Sequence, residues 1–143
     1  MKVTDPRSSC SIAFGLDKIG DKWSLIIVRD IALRGKRSYG DFLKSEERIA
    51  TNILASRLLS LEENGIISKE NDPNDKRKET YALTKKGLDL LPVLLELLVW
   101  GSKYFAESES PKWFVAEAKK DQKALSKKIE IGIKSNQFIL DMT

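Results

Sequence analysis

The 143-residue sequence contains no histidine and a single cysteine. Histidine is the commonest general base and the commonest transition-metal ligand, so Ser-His and Cys-His nucleophiles and His-based zinc sites are excluded. Cys10 has no second cysteine to pair with, which fits a reducing compartment. There is no glycine-rich phosphate loop, and these shortages together leave almost nothing from which to build an active site. Long apolar runs are also missing: no stretch approaches the ~18–20 residues of a membrane span, and no N-terminal apolar segment ends in a cleavage signature. The absences predict a cytoplasmic protein with no enzymatic activity, cofactor, metal or membrane partner.

What is present is a mixed and dense charge, with 25 Lys+Arg against 21 Asp+Glu and a net charge of +4. A hydrophobic fraction of 41% suffices for one compact domain with an appendage. The small positive balance is compatible with nucleic acid without demanding it. Where the basic residues cluster therefore matters more than their number.

Residues 1–8 form a polar arm. From Ser9 to Lys18, Ile12, Ala13, Leu16 and Ile19 follow helical spacing, with Ser9 or Ser11 as candidate cap. Trp23 to Leu33 is apolar nearly all round, the pattern of a central buried helix. A short helix over Tyr39–Lys44 and a longer one over Thr51–Glu63 follow, the latter ended by Asn64-Gly65. Ile66-Ile67 opens an extended stretch, 71–75 supplies turn residues, and Thr80-Tyr81-Ala82-Leu83 reads as the returning strand of a hairpin. Thr84 caps a long helix through Trp100, in which Pro92 is expected to produce a kink. After a break at Ser108–Pro111, helical composition returns from Lys112 to about Asn136. The fold class is mainly α with a small β-hairpin (α+β), a winged helix-turn-helix with dimer-forming terminal helices. The expected divisions are an arm (1–8), a domain carrying the helix-turn-helix and hairpin (9–106), which the resemblance below implies to be DNA-binding, and a helical extension (107–143).

On the helix 51–63, Leu54, Leu58 and Leu61 define a core face, which leaves Asn52, Ser56 and Leu59 on the opposite side at about 100° per residue. Short polar side chains near the N-terminal end suit a helix that meets base edges in the major groove, although a solvated face has the same composition. The hairpin tip Asp75-Lys76-Arg77-Lys78 carries three cations. Such a tip either guards an edge strand against pairing or straddles a phosphate backbone. Arg34, Lys36 and Arg37 precede the short helix, and two basic clusters around a helix-turn-helix favour the second reading.

The strings CSIAFGLDKIGDKW (Cys10 to Trp23), SLIIVRDI, GKRSYGDFL, IATNILASRLLSLEENGII, TYALTKKG and LLPVLLELLVWG resemble the HxlR-type regulators over about residues 9–101. The segment DPNDKRKETYALT is also similar to the wing of the related MarR-type architecture. The resemblance implies a prokaryotic, homodimeric transcription regulator that binds double-stranded DNA at a pseudo-palindromic operator. It implies Thr51, Asn52, Ser56 and Arg57 as DNA-facing residues of the recognition helix, and Lys76, Arg77 and Lys78 as wing contacts. Ser38, at the start of the short helix, is implied as a phosphate contact, with Tyr39 in the core, and Arg37 just ahead is a DNA-contact candidate from the basic cluster. Two departures stand out: Ser11 where the family usually has proline, and Ser56 where close relatives often carry an acid. Several members use a cysteine at the position of Cys10 to sense oxidants or electrophiles. A helix start near Arg7 would favour a thiolate there, while a free cysteine is otherwise a small buried hydrophobe. A small-molecule or oxidant effector is thereby implied without being identified.

The leucine-rich helix presents more apolar surface than a three-helix core and hairpin can cover, so Leu91, Leu94, Leu95, Leu98 and Trp100 are expected at a dimer interface. The extension could complete that interface, shape an effector pocket or decorate the surface. The alternative function is a winged-helix protein–protein interaction module without DNA readout, which would not need basic residues on both sides of the recognition helix.

Overall fold

Helix α2 (Ser24–Arg34) is the axis on which the molecule is built. The chain is seen in a computed structural model that describes residues 6–140. The first five residues of the expected arm and the last three of the extension thus lie outside the described residues. Helix α1 (Ser11–Ile19) begins at Cys10 without a side-chain cap, so neither serine performs the expected capping. The start of α2 is capped from Asp21, whose carboxylate accepts from the backbone N–H groups of Trp23 and Ser24, both at 2.9 Å. Burial pushes the Asp21 carboxyl up, but the Ser24 hydroxyl, these two N–H groups and the Arg57 charge together hold it below its ordinary value.

Helices α3 (Tyr39–Leu43) and α4 (Thr51–Glu63) form the helix-turn-helix. A capping box fixes the first: the Ser38 hydroxyl accepts from the Asp41 N–H while the Asp41 carboxylate accepts from the Ser38 N–H. Gly65, at φ +72°, ends α4 in the left-handed conformation that glycine adopts at little cost. Strands β1 (Ile67–Asp72) and β2 (Asp75–Leu83) pair antiparallel from Ile67↔Leu83 to Asn71↔Glu79, with an irregularity at Asp72↔Asp75 beside the turn.

Beyond the wing the expected long helix is two. Helix α5 (Lys85–Leu88) is a single turn capped by Thr84, and α6 (Leu91–Tyr104) starts anew with Pro92 in its first turn. Proline there lacks only an N–H that a helix start leaves unpaired, so Pro92 opens a helix instead of bending one. The extension likewise divides at Asp121 into α7 (Lys112–Lys120) and α8 (Gln122–Lys134), because the Asp121 side chain caps α8 through the Ala124 N–H.

Two apolar clusters share α2. One face, with Ile27, Val28 and Ile31, meets Phe42, Leu54, Leu58, Leu61, Ile66, Ile67 and Tyr81 of the winged helix. The other, with Ala32 and Leu33, meets Leu91, Leu94 and Leu95 of α6 and Phe114, Ala118, Leu125 and Ile129 of the extension. Leu91, Leu94 and Leu95, expected at a dimer interface, are therefore buried within the chain. The extension supplies the partner surface that sequence reasoning assigned to a second copy, and Leu98 packs half-buried against the same cluster. Trp100 is 65% exposed and belongs to the opposite stripe of α6, with Val93, Leu97 and Tyr104. Trp23, by contrast, packs against the first cluster.

Candidate nucleic-acid interface

Helix α4 turns Leu54, Leu58 and Leu61 into the core and leaves Thr51, Asn52, Ala55, Ser56 and Leu59 exposed, as its periodicity requires. Its first turn has no side-chain cap, so N–H groups there face outward with the positive end of the helix dipole. Tyr39 does not enter the core. It lies on the surface at the head of α3, and its hydroxyl donates to the Thr51 carbonyl at 2.9 Å, tying α3 to the first residue of α4.

Of the four residues assigned to the recognition face, three are open and one is engaged. Arg57 is half-buried and its guanidinium lies 3.6 Å from the Asp21 carboxylate. It therefore braces α4 against the α1–α2 junction instead of pointing away from the protein. Ser38 is similarly committed: its hydroxyl caps α3, and its backbone bridges to Thr80.

The basic residues ahead of α3 also divide. Arg34 and Lys36 turn inward toward Asp30, which is buried in α2. Lys36 additionally donates to the Ser45 hydroxyl at 2.9 Å, and Ser45 donates to Asp30. Arg29 completes this cluster, holding Asp30 at 2.8 Å and Glu47 through both terminal nitrogens at 2.6 and 2.9 Å. The paired guanidinium draws the Glu47 carboxyl down to about 2, against the cost of its partial burial. Burial disfavours the Arg29 charge, but Glu47 and Asp30 more than offset this and hold its pKa above the ordinary value. An acid inside an apolar helix was not singled out from sequence. The available signal was the adjacent Arg29-Asp30 pair between the apolar runs at 25–28 and 31–33.

Arg37 is the exposed member of that group. Its carbonyl accepts from the Tyr81 N–H at 2.7 Å, and the Ser38↔Thr80 bridge continues the contact, so the segment before α3 lies along β2 like a short third strand. This joins Arg37 to the wing, where Lys76, Arg77 and Lys78 are all exposed. Arg77 is 93% exposed and meets Asp75 at 3.3 Å, an ion pair at the surface that counts for little. Desolvation raises the Asp41 carboxyl, while N–H donors at Arg37 and Ser38, the Ser38 hydroxyl and the Lys78 charge lower it on balance.

Cys10 is exposed at the first turn of α1. Arg7, expected to favour its thiolate, is instead paired with Asp17 at 2.6 Å. Among the described residues no cluster of His, Cys, Asp and Glu could hold a metal ion, and no helix is long and apolar enough to cross a membrane.

Comparison with known proteins gives this arrangement a context. The family model for HxlR-like helix-turn-helix proteins matches residues 18–109. An uncharacterised HTH-type transcriptional regulator of Bacillus subtilis (strain 168), YdeP, is 34% identical over 101 residues, 71% of this chain and 78% of its own. The crystal structure of PA1607 is similar at a TM-score of 0.65 with 40% identity, covering 73% of this chain and 72% of that one. The redox regulator HypR in its oxidized form is similar at a TM-score of 0.59 with 32% identity, over 66% of this chain and 96% of that one.

Proposed function

The chain belongs to the HxlR-like helix-turn-helix family of transcriptional regulators, not enzymes, and from that premise we propose that it binds double-stranded operator DNA as a homodimer. The observation that carries this reading is the continuity of Arg37 with the wing cations Lys76, Arg77 and Lys78 through the Arg37–Tyr81 backbone bond. A protein-interaction module would not need a cationic strip beside an open helix face. A phosphate backbone does, because each neutralised phosphate releases condensed counterions. In this reading the strip positions the protein, while Thr51, Asn52 and Ser56 on the open face of α4 meet base edges in the major groove.

The dimer is supported by surface left over after the extension has filled the inner side of α6. Val93, Leu97, Trp100 and Tyr104 form one exposed stripe, and α1 exposes Ile12, Phe14 and Leu16. Exposed apolar surface on this scale favours an association site. A two-fold arrangement through α6 and α1 would carry two recognition helices to a pseudo-palindrome about one helical turn apart. Selection of bound duplexes from a random library, followed by titration at several salt concentrations, tests the whole reading. A cytoplasmic location follows from DNA binding.

A second reading concerns the thiol. Cys10 is the sole cysteine and is exposed, and a redox regulator is among the similar structures. Attack of the Cys10 thiolate on a small-molecule disulfide, whose second sulfur leaves as a thiolate, would then modulate DNA binding through the mixed disulfide formed.

A further inference from the structure

Helices α2, α6 and α7 and the tail at Leu140 line an open cavity of about 250 Å3. Leu25, Leu33, Leu94, Leu98, Phe114 and Leu140 supply its apolar walls. Arg29 and Arg34 are the two charged residues in its lining. Arg29 is saturated by Asp30 and Glu47. Arg34 is not: its Nε is buried and donates to nothing among the described residues. Its approach to Asp30, 3.9 Å from Nη1, is too long for a hydrogen bond.

Asp30 is shared by Arg29, Arg34 and Lys36 and does not satisfy the buried Arg34 Nε, whereas buried donors are almost always satisfied. An inorganic anion would supply an acceptor but waste the leucine walls. A hydrocarbon would fill the walls but leave the Arg34 N–H without an acceptor. The volume is below the ~300–1,000 Å3 of drug-sized sites, which suits one ring or a medium-length chain.

We propose that this cavity is a binding site for a small apolar monocarboxylate, the carboxylate accepting from Arg34 and the body lying against the leucines and Phe114. The site is built jointly by the family core and the extension, and a route leads from it to the helix-turn-helix. Asp30, which faces Arg34, also holds Ser45 and, through Arg29, Glu47, and both residues lie in the turn that leads into α4. A carboxylate on Arg34 alters the charge that Asp30 balances and so shifts the turn. This regulatory consequence rests on the DNA-binding reading, whereas ligand binding itself does not.

Titration calorimetry and thermal unfolding of the full chain with octanoate, 1-octanol and acetate test the site. Octanoate should bind and raise the melting temperature, 1-octanol should bind at least tenfold more weakly, and acetate should not bind. Arg34→Gln should lower octanoate affinity at least tenfold, and Leu25→Trp, which fills the cavity from the α2 side, should abolish it, with circular dichroism confirming the fold of each. If Arg34→Gln does not fold, the alcohol comparison on the wild-type protein and Leu25→Trp still decide. No octanoate binding at millimolar concentration, equal affinity for octanoate and 1-octanol, or undiminished binding by folded Leu25→Trp would each overturn the proposal. A shift in duplex affinity with octanoate, absent in Arg34→Gln, tests the route; no DNA binding by the ligand-free protein, while octanoate still binds, indicts the DNA reading and leaves the site intact.

Discussion

The backbone N–H of Leu140 donates to the carbonyl of Leu33 at 2.8 Å, so the tail closes the last turn of α2 by satisfying a carbonyl that the helix itself leaves free. Two residues earlier Phe138 lies over Gly35, where a Cβ would come within 2.6 Å of its ring. Gly35 also has φ +70°, which side-chain-bearing residues adopt only at a cost. Gly35→Ala should lose about 1–3 kcal/mol through both effects. Phe138→Ala in the same background should recover the steric part and not the backbone part. Urea unfolding of the two single variants and the double variant measures the coupling, which should be non-additive.

The Arg29–Glu47 pair makes stability depend on acid. Glu47 has its pKa lowered from 4.5 to about 2 in the folded state. Its contribution is therefore complete above about pH 4.5 and is lost as pH falls toward 2. Glu47→Gln should be less stable than wild type at pH 7, with the gap closing between about pH 4.5 and 2. Because the Glu47 side chain is 34% exposed, the gap should be modest and shrink further in salt. Melting temperatures of both proteins across that pH range check the sign.

The two stripes of α6 should fail in different ways. Leu95 is fully buried against α2 and the extension, and Leu95→Asp places an unpaired charge there, costing several kcal/mol and the fold. Trp100 is exposed, and Trp100→Asp should leave the monomer folded while shifting light scattering from dimer to monomer. A wild-type protein that is monomeric at micromolar concentration would remove the dimer.

Exposure of Cys10 leads to a further expectation. Diamide should change duplex affinity in the wild-type protein and leave Cys10→Ser unaffected, as read by mobility shift under both conditions. Equal responses would return Cys10 to a passive surface residue.

The order of elements was legible because each depends on local chemistry: the Leu54/Leu58/Leu61 spacing, Asn64-Gly65 after α4, and the turn residues at 71–75. The misplaced α6 interface has a physical cause. Val93/Leu97/Trp100/Tyr104 and Leu91/Leu94/Leu95/Leu98 are both helical stripes, and periodicity cannot tell which is covered by α7 and α8. Basic residues were legible as a cluster but not as individuals. Only the fold distinguishes Arg37, which is open, from Arg34 and Lys36, which answer a buried Asp30, or Arg57, which answers Asp21. Pro92 could equally kink a long helix or start a new one, and the α5–α6 break decided it.

The central claim, that the wing strip positions the protein and α4 reads the bases, is tested most directly by salt titrations of Lys76→Ala/Arg77→Ala and Asn52→Ala on a selected operator and on random duplex. The wing variant should lose affinity nearly equally on both, with the slope of log K against log salt reduced by about 1 per lost phosphate contact. Asn52→Ala should lose about 1–3 kcal/mol on the operator and far less on random DNA, its slope unchanged. Equal losses for both variants on both duplexes would show that α4 does not read sequence through Asn52, and no loss for either would contradict DNA binding by this surface.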